Sequence, residues 1–328
     1  MQFPKSAYLL LFLICLLLKP SLTYSGQVFS RTYESEPTQS VQLNLAILVG
    51  TITIKEWSSD YVKINSVIPR ELNGETFTQR GNLISFADAR LTPKIKREFY
   101  PIKLEVFVPS GTNLIISGYD IDLHITGGVD TLIADVLDLN LSADGGLTSI
   151  DIDTTTFAGH VKGATGVLGL KSETLSIMIS NSTFKDISLR ADSVEVDVDS
   201  ISANKFLLKA GTGRAKMLFD DIDSAFVDID RGTIAVTLTD SLVENFRIES
   251  KLANIYVSLT EHIFESIELS AESFNIINIL GDAELLELID FNRDRSHAFK
   301  ESPGLNSPKI NAQTVKGRID LQLTKQAD

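Results

Sequence analysis

A pair of alternating apolar residues recurs along this chain at about 20-residue intervals, and that recurrence narrows the possible folds more than any other feature. One set falls at Ile177/Ile179, Val196/Val198, Met217/Phe219, Val236/Leu238, Val257/Leu259 and Ile277/Ile279. A second falls at Ile187/Leu189, Phe206/Leu208, Val227/Ile229, Phe246/Ile248, Ile267/Leu269 and Leu286/Leu288. Within each run apolar and polar residues alternate, as in SIDID, VEVDVDS and IAVTLT, which is the period of a strand with one buried face. A fixed spacing of this length is characteristic of stacked repeats.

Two strands per repeat predict an all-β, parallel β-solenoid of β-helix type with coils of about 20 residues. Successive coils would lie about 4.8 Å apart, with Val, Ile and Leu filling the interior. A hairpin sandwich would also alternate, but the Asn-Gly and Asp-Gly turns that tight hairpins need are nearly absent. The regular solenoid is expected over 111–290. The less regular strands and basic loop of 26–110 form its first coils, 291–308 is a polar loop, and 309–328 holds closing strands and a tail. DAELLELIDF after Gly281 fits either a strand or a short capping helix, and the Leu286/Leu288 pair favours the strand.

The chain opens MQFPKSAYLLLFLICLLLKPSLTYSG. One positive charge, an apolar run from Ala7 to Leu18 and small residues at Thr23 and Ser25 read as a signal peptide over 1–25, cleaved after Ser25. The run is too short for a spanning helix, which needs about 20 residues. Cys15, the only cysteine, leaves with it, so the mature chain has no disulfide and no thiolate chemistry. Its stability rests on the core, for which 43% apolar residues suffice. The formal charge is −13, and losing Lys5 and Lys19 makes it −15. Such an acidic balance opposes a nucleic-acid partner. An exported protein of the periplasm, cell surface or medium is expected, without a membrane anchor after cleavage.

GTITIKEW (Gly50 to Trp57), YVKI (Tyr61 to Ile64) and LEVFVPSGTNLIISGYDIDLHITG (Leu104 to Gly127) resemble the bacterial exported family named "putative adhesin" domains of unknown function. There a Gly-x-Ile-x-Ile-x-x-Trp strand opens the domain, an apolar-Val-Pro-x-Gly segment follows, and glycine-punctuated coils form a β-solenoid. The resemblance covers residues 43 to 170 and extends to the end. It implies an exported solenoid and adhesion. After Gly169 this chain departs from the pattern, because most of the coil-marking glycines are missing.

The aspartates of VEVDVDS (Val194 to Ser200) raise three possibilities: a metal site, a pair of catalytic acids, or the wet side of a strand. In a solenoid a functional carboxylate should recur in a column. Asp197 is expected beside Met178, and Thr237, Ser258 and Asn278 are expected to follow one another further along. The second sheet is expected to stack Ser188, Leu207, Asp228, Arg247, Glu268 and Glu287. Both columns are mixed, so VEVDVDS reads as a wet strand face.

Asp220, Asp221, Asp223, Asp228 and Asp230 form the densest carboxylate group and are candidate Ca²⁺ ligands. They lack the glycine spacing of Ca²⁺-binding repeats or EF-hands, so a solvated turn is preferred. His124, His160, His262 and His297 have no metal-ligand spacing; His124 and His262 alternate with apolar neighbours and are expected on strand exteriors. No Gly-x-Ser-x-Gly elbow is present. GHVKGATGVLG and GTGRAK lack the Gly-Lys-Ser/Thr ending of a phosphate loop and are expected as sharp turns.

Arg90, Lys94, Lys96, Arg97 and Lys103 make one cationic island, suited to anionic head groups or surface polymers. Trp57 and Tyr61 have faces suited to sugar, with core packing preferred for Trp57. No cofactor is expected. The reading is a non-catalytic protein presenting a binding surface, adhesin-like or an envelope scaffold, with a macromolecular partner (cell-surface protein or glycan) and self-association through an uncapped end. A carbohydrate-active enzyme on a β-helix, needing paired carboxylates at a cleft, and a periplasmic structural or envelope-stress protein are the alternatives.

Overall fold

The computed structural model describes residues 27–34, 40–68, 77–88, 91, 101–281, 283–291, 296–301 and 307–324. The segment 1–25, expected as a signal peptide, and Arg90, Lys94, Lys96 and Arg97 lie outside them. In chain order the strands are β1 (Gln27–Glu34), β2 (Gln42–Glu56), β3 (Tyr61–Ile68), β4 (Phe77–Arg80), β5 (Leu83–Ala87), β6 (Ile102–Val108), β7 (Thr112–Thr126), β8 (Val129–Asp144), β9 (Ser149–Lys162) and β10 (Thr165–Ser250). They continue with β11 (Asn254–Thr260), β12 (Glu268–Ser273), β13 (Ile276–Leu280), β14 (Asp290–Phe291), β15 (His297–Lys300), β16 (Lys309–Thr314) and β17 (Arg318–Thr324). Among the described residues two short helices interrupt them, α1 (Glu261–Ser266) and α2 (Ala283–Leu286). The chain is therefore all-β, in one mixed sheet.

The alternation seen in the sequence sets which side of each strand is inside. Leu139, Leu141 and Ala143 are buried while Asn140, Ser142 and Asp144 between them are exposed. The inward phase then slips by one residue at regular points. In β8 it runs Leu132, Ala134, Val136 and resumes at Leu139, with Leu137 and Asp138 half-exposed between the two runs. A slip of one residue exchanges the faces, so it marks a bend at which the strand turns a corner around the core.

β7, β8, β9 and the start of β10 stack in parallel with an offset of 18 residues, as in Asn113 with Thr131, Thr131 with Ser149 and Val167 with Ser149. Corner hydroxyls hold this stack. The Thr154 hydroxyl lies 2.9 Å from both the Leu137 and Thr156 carbonyls, and Ser172 stands 2.9 Å from Thr155 O and 2.6 Å from Thr174 O. Each hydroxyl has one proton to give and satisfies a carbonyl at the bend, where the register skips Leu137 and Thr155.

The 86 residues of β10 would span about 280 Å if straight. Instead the strand doubles back on itself: Ser224 donates to Asn204 O and Thr239 to Phe219 O, each 20 positions earlier. GTGRAK lies inside β10, so the turn expected there is corrected. A Cβ on Gly213 would stand 1.9 Å from Val194 O, and one on Gly232 1.8 Å from Gly213 O. Close backbone approach at a positive φ of 140° is what this glycine supplies.

At both ends the order in space departs from the order in sequence. β2 lies between β7 on one side and β5 with β6 on the other. β16 lies between the end of β10 and β12, and β17 between β11 and β13. The last strand pair therefore does not close the stack from outside: it slots between two earlier passes. Arg247 accordingly stands beside Asn311 instead of Glu268, and Ser258 beside Gln322 instead of Asn278. Thr237 does meet Ser258 as expected.

Antiparallel strands finish each end, with β1 on β3 and β3 on β6 at one and β15 on β12 at the other. The polar segment 291–308 thus contains a strand, and residues 283–286 are helical, with Leu288 half-exposed in the turn that follows.

Candidate functional site: a groove built by the inserted strands

Four neighbouring strands, the end of β10 followed by β11, β17 and β13, present a grid of outward side chains. Across one row the register gives Ala235, Tyr256, Asp320 and Asn278. The next row is Thr237, Ser258, Gln322 and Leu280. Small side chains at Ala235, Thr237 and Ser258 leave the floor low, while Leu286 of α2 and Phe291 of β14 rise at one side. The result is a groove of about 830 Å³, within the size range of small-ligand sites.

Its polar centre is preorganised. Arg318 Nη2 donates to Tyr256 Oη at 3.2 Å and pairs with Asp320 Oδ2 at 2.7 Å. Asn278 Nδ2 donates to the other carboxylate oxygen of Asp320 at 2.8 Å. The guanidinium carbon stands 5.7 Å from the Tyr256 ring centre, a cation–π contact. Asp320 beside Arg318 pushes the guanidinium pKa further up. Arg318 Nε is buried and has no hydrogen-bond partner among the described residues. Sequence alone offers the outward set Arg318, Asp320 and Gln322 from the alternation of β17. It does not bring that set to Tyr256 and Asn278, which requires the insertion.

The expected sites fare differently. Lys103 is exposed on β6, and the rest of the cationic island is outside the described residues. Asp228 and Asp230 lie on one strand run; burial first and then Asp230 and Glu249 raise the Asp228 pKa, and Lys251 bonds Asp230 at 2.8 Å. Among the described residues no three of His, Cys, Asp and Glu converge to hold a metal ion. His124 is exposed on its strand, as expected, whereas His262 sits exposed on α1. Trp57 is corrected too: it lies half-buried outside the core, 4.6 Å from the Tyr61 ring and 5.6 Å from Phe107, and its Nε1 donates to Tyr61 O.

The 18-residue part of the stack holds a further mixed column, with two aspartates adjacent in it. Ser117, Asp135, Asp153 and Lys171 follow one another in register, with Lys171 Nζ 2.9 Å from Asp153. Asp120 pairs with Asp138 in the same sheet, and its pKa is raised by burial, then by Asp122 and Asp138. The 20-residue spacing hides this column, because it belongs to the other half of the chain.

No family model matches the chain, and no curated protein does. Solved structures of low identity do. One is described as a "putative adhesin" from Bacteroides fragilis NCTC 9343, with 12% identity, a TM-score of 0.37, and 92% of this chain and 99% of that one covered. Another is a "putative cell adhesion protein" from Clostridium sporogenes ATCC 15579, with 10% identity, a TM-score of 0.24, and 91% and 100% covered. A third is a "putative lipid binding protein" from Parabacteroides distasonis ATCC 8503, with 9% identity, a TM-score of 0.31, and 92% and 98% covered. No helix among the described residues is long and apolar enough to cross a membrane.

Proposed function

We propose that this is an exported, non-catalytic binding protein, adhesin-like or an envelope scaffold, whose passes are coils of a solenoid with two strands each. The corner slips of inward phase, two faces per 18 to 21 residues, support that architecture. The observation that carries the functional reading is the groove centre. Among the described residues one carboxylate, Asp320, lines it, and Arg318 and Asn278 hold both its oxygens. A glycosidase would place two carboxyl groups across its cleft. A rigid, internally paired polar centre beside an aromatic ring instead suits recognition without turnover.

Protease added to intact cells that make the protein tests the reading. Cleavage of the mature chain is expected for a surface-presented binding protein. Full protection until the envelope is opened would refute surface presentation and leave the periplasmic structural role.

A further inference from the structure

We infer that the groove over β10, β11, β17 and β13 binds a neutral saccharide chain. The inference rests on the binding-protein reading above and names the ligand class. Four strands at about 4.8 Å spacing give the groove a floor about 14 Å across, the length of a short oligosaccharide. The floor is the side-chain face of a sheet in which β11 and β17 are paired on both sides, so a ligand lying over them is read by side chains.

Those side chains select for hydroxyls. Asp320 and the amides of Asn278 and Gln322 offer acceptors and donors at short spacing, and Ser258 and Thr237 add hydroxyls. Tyr256 and the half-exposed Phe291 supply rings for the C–H face of a sugar. Charge excludes other classes. Arg318 and Asp320 cancel, so an anion would compete with Asp320 for the guanidinium and a cation would compete with Arg318 for the carboxylate. A polyanion also meets a chain of net charge −13. A lipid tail would cover the polar centre and leave its remaining hydrogen-bonding groups unpaired and dry.

The test uses the chain from residue 26, immobilised and probed with neutral gluco-, manno- and galacto-oligosaccharides, with polygalacturonate, and with phosphatidylglycerol vesicles. At least one neutral saccharide is expected to bind. Tyr256→Ala should weaken that binding roughly tenfold, as loss of an aromatic anchor does. Ser258→Trp, which fills the groove from an outward position, should abolish it with the melting temperature unchanged. Binding of polygalacturonate or vesicles that Ser258→Trp abolishes would overturn the saccharide class and leave the groove as the binding site. Saccharide binding that survives Ser258→Trp would overturn the groove itself, and the absence of binding to any probe would overturn the inference outright.

Discussion

The hydroxyl of Thr314 donates to the carbonyl of Ala253 at 3.2 Å, across 61 positions of sequence. Thr314 also accepts from Gly317 N at 3.1 Å. Its register neighbours Ser250 and Ser273 do likewise: Ser250 accepts from Ala253 N and donates to Asp230 O, and Ser273 accepts from Asn275 N and donates to Gly317 O. Two of these corner hydroxyls, Thr314 and Ser273, thus fasten the inserted strands on both sides, while Ser250 holds the corner between β10 and β11.

Gly317 makes that insertion possible. A Cβ there would stand 1.8 Å from Ala253 O and 2.6 Å from the Thr314 hydroxyl. Gly317→Ala is therefore expected to destabilise by about 3 kcal/mol, within the upper range for single substitutions. The check is the urea midpoint, and an unchanged midpoint would mean that β16 and β17 are not seated between the earlier passes.

Val198 is 1% exposed and Asp197 faces outward beside it. Val198→Asp puts an unpaired charge into the core and should cost several kcal/mol. Asp197→Val should stay within about 0.5 kcal/mol. Equal losses in thermal melts of the two variants would contradict this orientation of the strand.

Asp120 faces Asp138 across the parallel ladder, and burial with those neighbouring carboxylates holds its pKa above the ordinary 3.8. The folded state then binds the proton more tightly than the unfolded chain, so stability falls as pH rises through the window above 3.8. Asp120→Asn should be more stable than wild type at neutral pH. The advantage should shrink as pH falls below that window, which melts across an acid series would register.

Lys300 is 5% exposed, with Nζ 2.9 Å from Ile267 O, 3.2 Å from Glu265 O and 5.1 Å from the Phe264 ring centre. It caps the carbonyl end of α1, but burial lowers its pKa from 10.5, and Glu265 opposes this less strongly. Between the lowered pKa and 10.5 the unfolded chain holds the extra proton, so stability rises with pH there. Against Lys300→Met, the wild type should gain relative stability from neutral pH toward 10.5. A flat difference would show that the ammonium is not strained by burial.

Alternation along the chain was enough to read the strands and their inward faces, because a side chain's side of a strand depends only on its position in the period. Val194, Val196 and Val198 are buried, and Glu195 is exposed. The same local rule could not see the helix at 283–286 or the strand at 297–300, since both follow from what is left uncovered at the end of the stack.

The sequence by itself therefore determined an all-β chain and the inward residues of its strands. Only the tertiary structure decided which strands are neighbours. Backbone ladders are indifferent to the sequence of the strand they receive, so β17 can pair with β11 as readily as the next strand in line. What selects it is packing and corner geometry: Gly317 against Ala253, and Ile319, Leu321 and Leu323 in the core. That choice sets Arg318 and Asp320 between Tyr256 and Asn278, and the groove exists because of it.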